Sequence, residues 1–186
     1  MIRSFIAIKI PEGIVKPIVG LQRELQKIAP AVRWVQAENL HVTLLFLGDL
    51  SLKDLGYLYG KLEGRLKNSK PFFISFNGLG KFPPKGPTRV IWLGIDQGLV
   101  ELQQLFASGL KGLLENKIAS KETFSPHLTL GRVKDFNGAK DMLSLFEKHK
   151  RFVTQKFIVD TVSFFKSDLR PSGPIYTELK TVKLGT

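Results

Sequence analysis

The chain has 186 residues, 43% of them apolar and 24% charged, a balance suited to a globular domain with a real core and unsuited to overall disorder. It contains no cysteine, which excludes a disulfide framework, a thiolate zinc site and a cysteine nucleophile. Net charge is +12, so an anionic partner is favoured, nucleic acid first, and no apolar run approaches the roughly 20 residues that a bilayer crossing needs.

Residues 2–10 are β-branched and almost continuously apolar, as in a strand buried on both faces. The N-terminus, Met1 to Phe5, runs into that strand without the charged and apolar regions of a signal peptide, so the expected location is the cytoplasm and no membrane is involved. Pro11 and Glu12 open a helix whose apolar stripe is Ile14, Ile18, Leu21, Leu25 and Ile28, although Pro17 and Gly20 argue against an uninterrupted one. An extended segment, Val32 to Val35, leads to a strand over 40–47 that begins with His41-Val42-Thr43-Leu44. A helix over 51–68 follows, with Leu52, Leu55, Leu58, Leu62 and Leu66 on one face. A strand over 71–79 then runs into the glycine, proline and lysine loop 80–87.

From residue 89 the order begins again: a strand over 89–96, a helix over 98–116, an extended lead-in, and a strand carrying His127-Leu128-Thr129-Leu130. A helix at about 138–149 and strands at 155–165 and 174–182 complete the chain. Arg3 precedes His41 by 38 residues, and Arg89 precedes His127 by the same 38. Phe73-Ile74 matches Phe157-Ile158, and the loop Pro84-Lys85-Gly86-Pro87 matches Pro171-Ser172-Gly173-Pro174. These ordered matches point to internal duplication, with repeats of roughly 1–87 and 88–186. The expected architecture is α+β: a bilobal pseudo-two-fold fold, two mainly antiparallel sheets facing across a cleft with helices outside.

Two of the three histidines thus stand in the same tetrapeptide, 86 positions apart. In a strand, residues i and i+2 share a face, so each motif presents an imidazole with a hydroxyl. Histidine titrates near pH 6.5, so one copy can hold a proton while the other accepts one. In-line displacement at phosphorus uses such a pair, with hydroxyls donating to the non-bridging oxygens. No His-x-His, His-Glu-x-x-His, phosphate-binding glycine loop or nucleophile elbow occurs; no metal and no cofactor is expected. His149, in Glu147-Lys148-His149-Lys150, has no counterpart and reads as an exposed helix end.

The doubled His-x-Thr-Leu, together with Arg33-Trp34-Val35, Asn39-Leu40-His41, Phe46-Leu47-Gly48-Asp49, the run Ser125 to Arg132 and Gly173-Pro174-Ile175-Tyr176, resembles the 2H phosphoesterase superfamily. Within it the chain is most similar to the RNA 2',3'-cyclic phosphodiesterases, also called 2'-5' RNA ligases, of bacteria and archaea. The resemblance implies one 2H phosphoesterase domain over 1–186. The implied reaction is metal-independent opening of terminal 2',3'-cyclic phosphates on RNA to 2'-phosphates, with 2'-5' joining of tRNA halves as a related activity. It assigns His41 as proton donor, His127 as proton acceptor, and Thr43 and Thr129 as phosphate-binding residues. The implied partner is RNA with cyclic-phosphate ends, tRNA fragments among them, and the expected state is a monomer.

Two further residues are candidate substrate contacts. Arg132 follows the second motif and its repeat partner is Phe46, which can stack on a base. Arg132 has the parity of Leu128 and Leu130, so it reaches the histidine face only if the strand ends, twists or bulges. Lys81, Lys85, Arg89, Lys166 and Arg170 flank the two equivalent loops as candidate backbone contacts, whereas Trp34, Trp92 and Tyr176 read as packing residues. The alternative function is a non-catalytic module that holds RNA or a nucleotide in the same cleft.

Overall fold

The structure is a computed structural model that describes residues 1–113, 124–134, 142–171 and 173–185. Strand β1 (Ile2–Lys9) lies between two partners and is buried over Ser4–Ile8. Its two faces meet different surroundings. Ile6 and Ile8 enter the main core, while Phe5 and Ala7 join Phe165 and Tyr176 in a second, smaller cluster. Helix α1 (Glu12–Ile28) continues through Pro17 and Gly20 without a break. Pro17 is exposed at the edge of the buried row Ile14, Ile18, Leu21, Leu25, whose burial outweighs the missing hydrogen bond.

Strand β2 (Val32–Trp34) and a 3₁₀ turn (Ala37–Asn39) lead into β3 (His41–Leu50). Helix α2 (Leu52–Leu66) starts at a capping box: Ser51 Oγ accepts from the Asp54 backbone N–H at 3.1 Å, and the Ser51 N–H donates to Asp54 Oδ2 at 3.3 Å. Leu55, Leu58, Leu62 and Leu66 are buried, but Leu52 is exposed at the first helical position. The expected strand 71–79 is two strands, β4 (Phe72–Ile74) and β5 (Phe76–Phe82), so Gly80 to Phe82 belong to a strand and not to the loop. Ser75 marks the break because its backbone bonds both ways to the 96–97 turn.

Strand β6 (Val90–Ile95) precedes α3 (Leu99–Leu105), which widens into a π turn over Phe106–Leu110 and ends by Gly112 at φ +70°. Residues 114–116 of the expected helix lie outside the described residues. Strand β7 (His127–Val133) carries the second motif; α4 (Met142–His149) follows, and the expected start of that helix at 138–141 also lies outside them. The expected strand 155–165 is again two, β8 (Phe157–Val159) and β9 (Thr161–Arg170), before β10 (Gly173–Lys183).

The fold is α+β with curled antiparallel sheets. The main sheet runs β10-β9-β1-β3-β7-β6-β5, with β2 on β7, and β4 pairs β8 separately. Each strand of the β9 to β5 path maps onto its opposite number when β1, β3 and β9 are exchanged for β6, β7 and β5. The exchange passes through the β3–β7 contact, which has one register pair, Val42 with Leu128. The register also corrects one sequence match. Thr43 pairs with Ala7 and Thr129 with Trp92, so the counterpart of Arg3 is Thr88, not Arg89. The helices cover one face through Ile18, Leu25, Leu62 and Leu102, packed with Ile6, Val42, Ile91 and Leu128. Among the described residues no helix is long and apolar enough to cross a membrane.

The cap and the α2 stripe set two stability expectations, both read from urea unfolding. Ser51→Ala should cost about 1 kcal/mol. Leu62→Ala, at a fully buried position, should cost about 2–5 kcal/mol.

Candidate active site

Directly opposed residues of an antiparallel pair point to the same face. Val42 and Leu128 are opposed and both are fully buried under the helices. Alternation therefore sends His41, Thr43, His127 and Thr129 together to the other face. Continuing the register by one residue sets His41 beside Thr129 and Thr43 beside His127.

The two imidazoles are oriented in the same way. His41 Nδ1 donates to the Asn39 carbonyl at 2.7 Å, and His127 Nδ1 donates to the Ser125 carbonyl at 2.8 Å. A carbonyl only accepts, so each Nδ1 holds its proton and each Nε2 is the atom that takes or gives one. In the neutral ring His41 Nε2 accepts from Thr43 Oγ1 at 3.0 Å. Asn39 is itself tied down, with its side-chain amide donating to the Pro174 carbonyl at 3.0 Å.

Strict alternation would turn Arg132 into the core, but β7 bulges. Thr129 pairs with Trp92 and Gly131 with Ile91, which leaves Leu130 as an extra residue, so Arg132 then pairs with Val90 on the face of Thr129. The first motif has the same irregularity. Thr43 pairs with Ala7, Leu45 with Ile6 and Phe46 with Phe5, leaving Leu44 extra and bringing Phe46 onto the histidine face. Phe46 is 64% exposed, so it is not a core contact. Arg132 is exposed, and its positive charge acts on His41, His127 and Tyr176 alike.

Aromatic rings wall each imidazole. His41 lies 5.0 Å from Phe5, 5.2 Å from Tyr176 in an edge-on contact, and 6.5 Å from Phe165. His127 lies 5.0 Å from Phe82 and 6.0 Å from Trp92, whose ring covers Gly80 so closely that a Cβ there would overlap it. Tyr176 and Trp92, read from sequence as packing residues, thus belong to the site. Strand pairing is what brings them there, and a linear pattern carries no signal of it. Of the loop cations, Lys81 donates to the Gly86 carbonyl at 2.8 Å and Lys166 pairs with Asp168 at 3.0 Å. His149 is covered, not exposed: its side chain is 11% accessible, with Nε2 4.0 Å from Glu24 Oε2. Among the described residues no group of three or more acids and histidines could hold a metal ion.

Comparison with known proteins gives a consistent assignment. The family profile described as the 2'-5' RNA ligase superfamily matches residues 14–171. The RNA 2',3'-cyclic phosphodiesterase of Archaeoglobus fulgidus is 34% identical, over 96% of this chain and 98% of its own. That of Methanothermobacter thermautotrophicus is 31% identical, over 98% and 99%. Among solved structures, E. coli LigT complexed with 3'-AMP superposes with a TM-score of 0.76 at 26% identity, covering 100% of this chain and 99% of the other.

The surroundings of the two rings define their titration. Burial is the largest influence on His41 and lowers its pKa; the bond to Asn39 opposes this, and the charges of His127 and Arg132 lower it further. Burial likewise lowers His127 most, opposed by the bond to Ser125 and reinforced by Arg132. Ring titrations followed by NMR should give both midpoints below the ordinary value of about 6.5. Arg132→Ala removes a nearby positive charge and should move both midpoints up, whereas His127→Gln should move that of His41 up.

Proposed function

Because this chain belongs to the 2'-5' RNA ligase superfamily, we propose that it opens terminal 2',3'-cyclic phosphates on RNA to 2'-phosphates, using His41 and His127 as its acid and base. One observation carries this reading: two imidazoles on one face of one sheet, each with Nδ1 locked on the carbonyl two residues earlier and Nε2 left for chemistry. The 3'-AMP complex of the E. coli relative supports a nucleotide as the kind of ligand.

In the proposed step, water attacks phosphorus and its proton passes to His127 Nε2. The P–O3' bond breaks, and the departing 3'-oxygen takes the proton from His41 Nε2. The product keeps phosphate on the 2'-oxygen, and the transferred protons leave the enzyme with His127 charged and His41 neutral, a state that exchange with solvent resets. His127 is the less enclosed of the two rings, which suits the residue that meets water. Thr43 and Thr129 donate to the non-bridging oxygens, and Arg132 offsets their charge. Thr43 has a hydrogen to give when His41 is protonated, because the ring nitrogen then donates to its oxygen. Phe46, exposed on the histidine face and 6.2 Å from the Phe5 ring that packs on His41, stacks on the base. With a 5'-hydroxyl in place of water, the same transfers form a 2'-5' bond, the ligation of tRNA halves in the same site. Both histidines come from one chain, so a monomer suffices, and the lack of cysteine fits a cytoplasmic setting.

An oligonucleotide ending in a 2',3'-cyclic phosphate, incubated with the protein in EDTA, should yield a 2'-phosphate end. His41→Ala and His127→Ala should each reduce turnover by about 10²- to 10⁴-fold. Saturable binding of the intact cyclic end without product would instead favour a binding module. The pH dependence has a defined sign. The reaction needs one proton on the pair, and both free-enzyme pKa values are lowered, so the bell for kcat/KM should peak below about pH 6.5. The bound phosphate's negative charge raises both values, so the bell for kcat should lie at higher pH.

A further inference from the structure

We propose that Gln22 is a positioning residue whose buried amide holds the bulge at Leu130 and so keeps Arg132 on the histidine face. Gln22 is the one polar side chain in the buried row of α1, beside Ile14, Ile18, Leu21 and Leu25, and it is 6% exposed. An apolar residue there would serve helix packing without the cost of burying an amide. Both of its N–H groups are used: Nε2 donates to the Leu130 carbonyl at 2.9 Å and to the Val35 carbonyl at 2.9 Å.

These two acceptors are not ordinary strand carbonyls. Leu130 is the residue that β6 skips, and its carbonyl turns to the other edge of β7, where the Val35 N–H also donates to it at 2.8 Å. Val35 lies just past the end of β2, four residues before Asn39, whose carbonyl orients His41. One amide thus ties the helix layer to the lead-in of the first motif and to the bulge of the second. The bulge is closed from above as well: a Cβ on Gly131 would meet Val32 Cγ1 at 2.5 Å and Trp34 at 3.0 Å. Without the extra residue, alternation returns Arg132 to the face of Leu128, which is core.

The inference rests on the reading of Arg132 as a substrate contact, and the experiment separates the two. Gln22→Met keeps length and removes both donors. Arg132→Ala should lower kcat/KM for the cyclic-phosphate oligonucleotide by about a hundredfold, and Gln22→Met by about tenfold. The double variant should be no worse than Arg132→Ala within about twofold, because the two changes act through one group. The NMR midpoint of His127, whose ring is faced by Arg132, Trp92, Phe82 and His41, should rise in Gln22→Met toward its position in Arg132→Ala. It should stay put in Leu21→Ala, which loosens the same helix without touching the bulge.

A wild-type kcat/KM and midpoint in Gln22→Met, or losses that multiply in the double variant, overturn the inference. An Arg132→Ala enzyme of full activity overturns the substrate role of Arg132, while the His127 midpoint still reports whether Gln22 aims it. Gln22→Leu serves if the methionine variant folds poorly. Failure of both to fold would make Gln22 a general core residue and overturn the inference as well.

Discussion

Strands β3 and β7 meet through the single register pair Val42 and Leu128, and this contact decides more than its length suggests. A one-residue slip would exchange the faces of every side chain on one strand relative to the other. Because both residues are fully buried beneath the helices, such a slip would place the imidazole and the hydroxyl of the displaced strand in the core. The hydrophobic demand on Val42 and Leu128 is therefore what aligns the polar residues on either side of them. Apolar packing specifies the proposed chemistry's geometry from behind.

The near-symmetry around that pair makes its departures informative. Asn39 and Ser125 each accept from a histidine ring, yet Asn39 also binds the start of β10. Matching bulges present an aromatic ring in one half and a guanidinium in the other. Ala7 stands where Trp92 stands in the second half, and the neighbourhood of Ala7 holds a polar group instead. There Ser163 and Thr181 donate to Glu178, at 2.6 Å and 2.7 Å, and Lys9 pairs with the same carboxylate at 3.4 Å. Equivalent backbone positions thus give the two histidines unequal surroundings, which is what an acid and a base require.

The histidine motifs were legible because the residue type is scarce and the tetrapeptide recurs; strand alternation then supplied the shared face. Arg132 was ambiguous for a physical reason. A bulge at Leu130 depends on cross-strand register and on a glutamine 108 positions away, and a leucine among leucines carries no sign of it. Tyr176 reads as packing in the linear sequence because its contact with His41 spans β10, β9, β1 and β3 in the sheet. The apolar run around Ser75 looks continuous because the residues on either side of the break, Ile74 and Phe76, are both fully buried. Pro17 misled in the other direction, where tertiary burial of Ile14, Ile18 and Leu21 outweighed local propensity.

The strand order has a bearing on how the molecule comes into being. The sheet half that holds His41 is built from β1 and β3 near the start of the chain and from β9 and β10 near its end, while β5 from the first half closes the sheet beside His127. Neither half contains its own lobe. The bond from Asn39 to Pro174 spans 135 residues, so the orientation of His41 waits on a segment synthesised well after it. Closing such distant contacts is slow, and a nascent chain holds both histidines long before it holds a site. The candidate site is complete only once β10 has docked against β9.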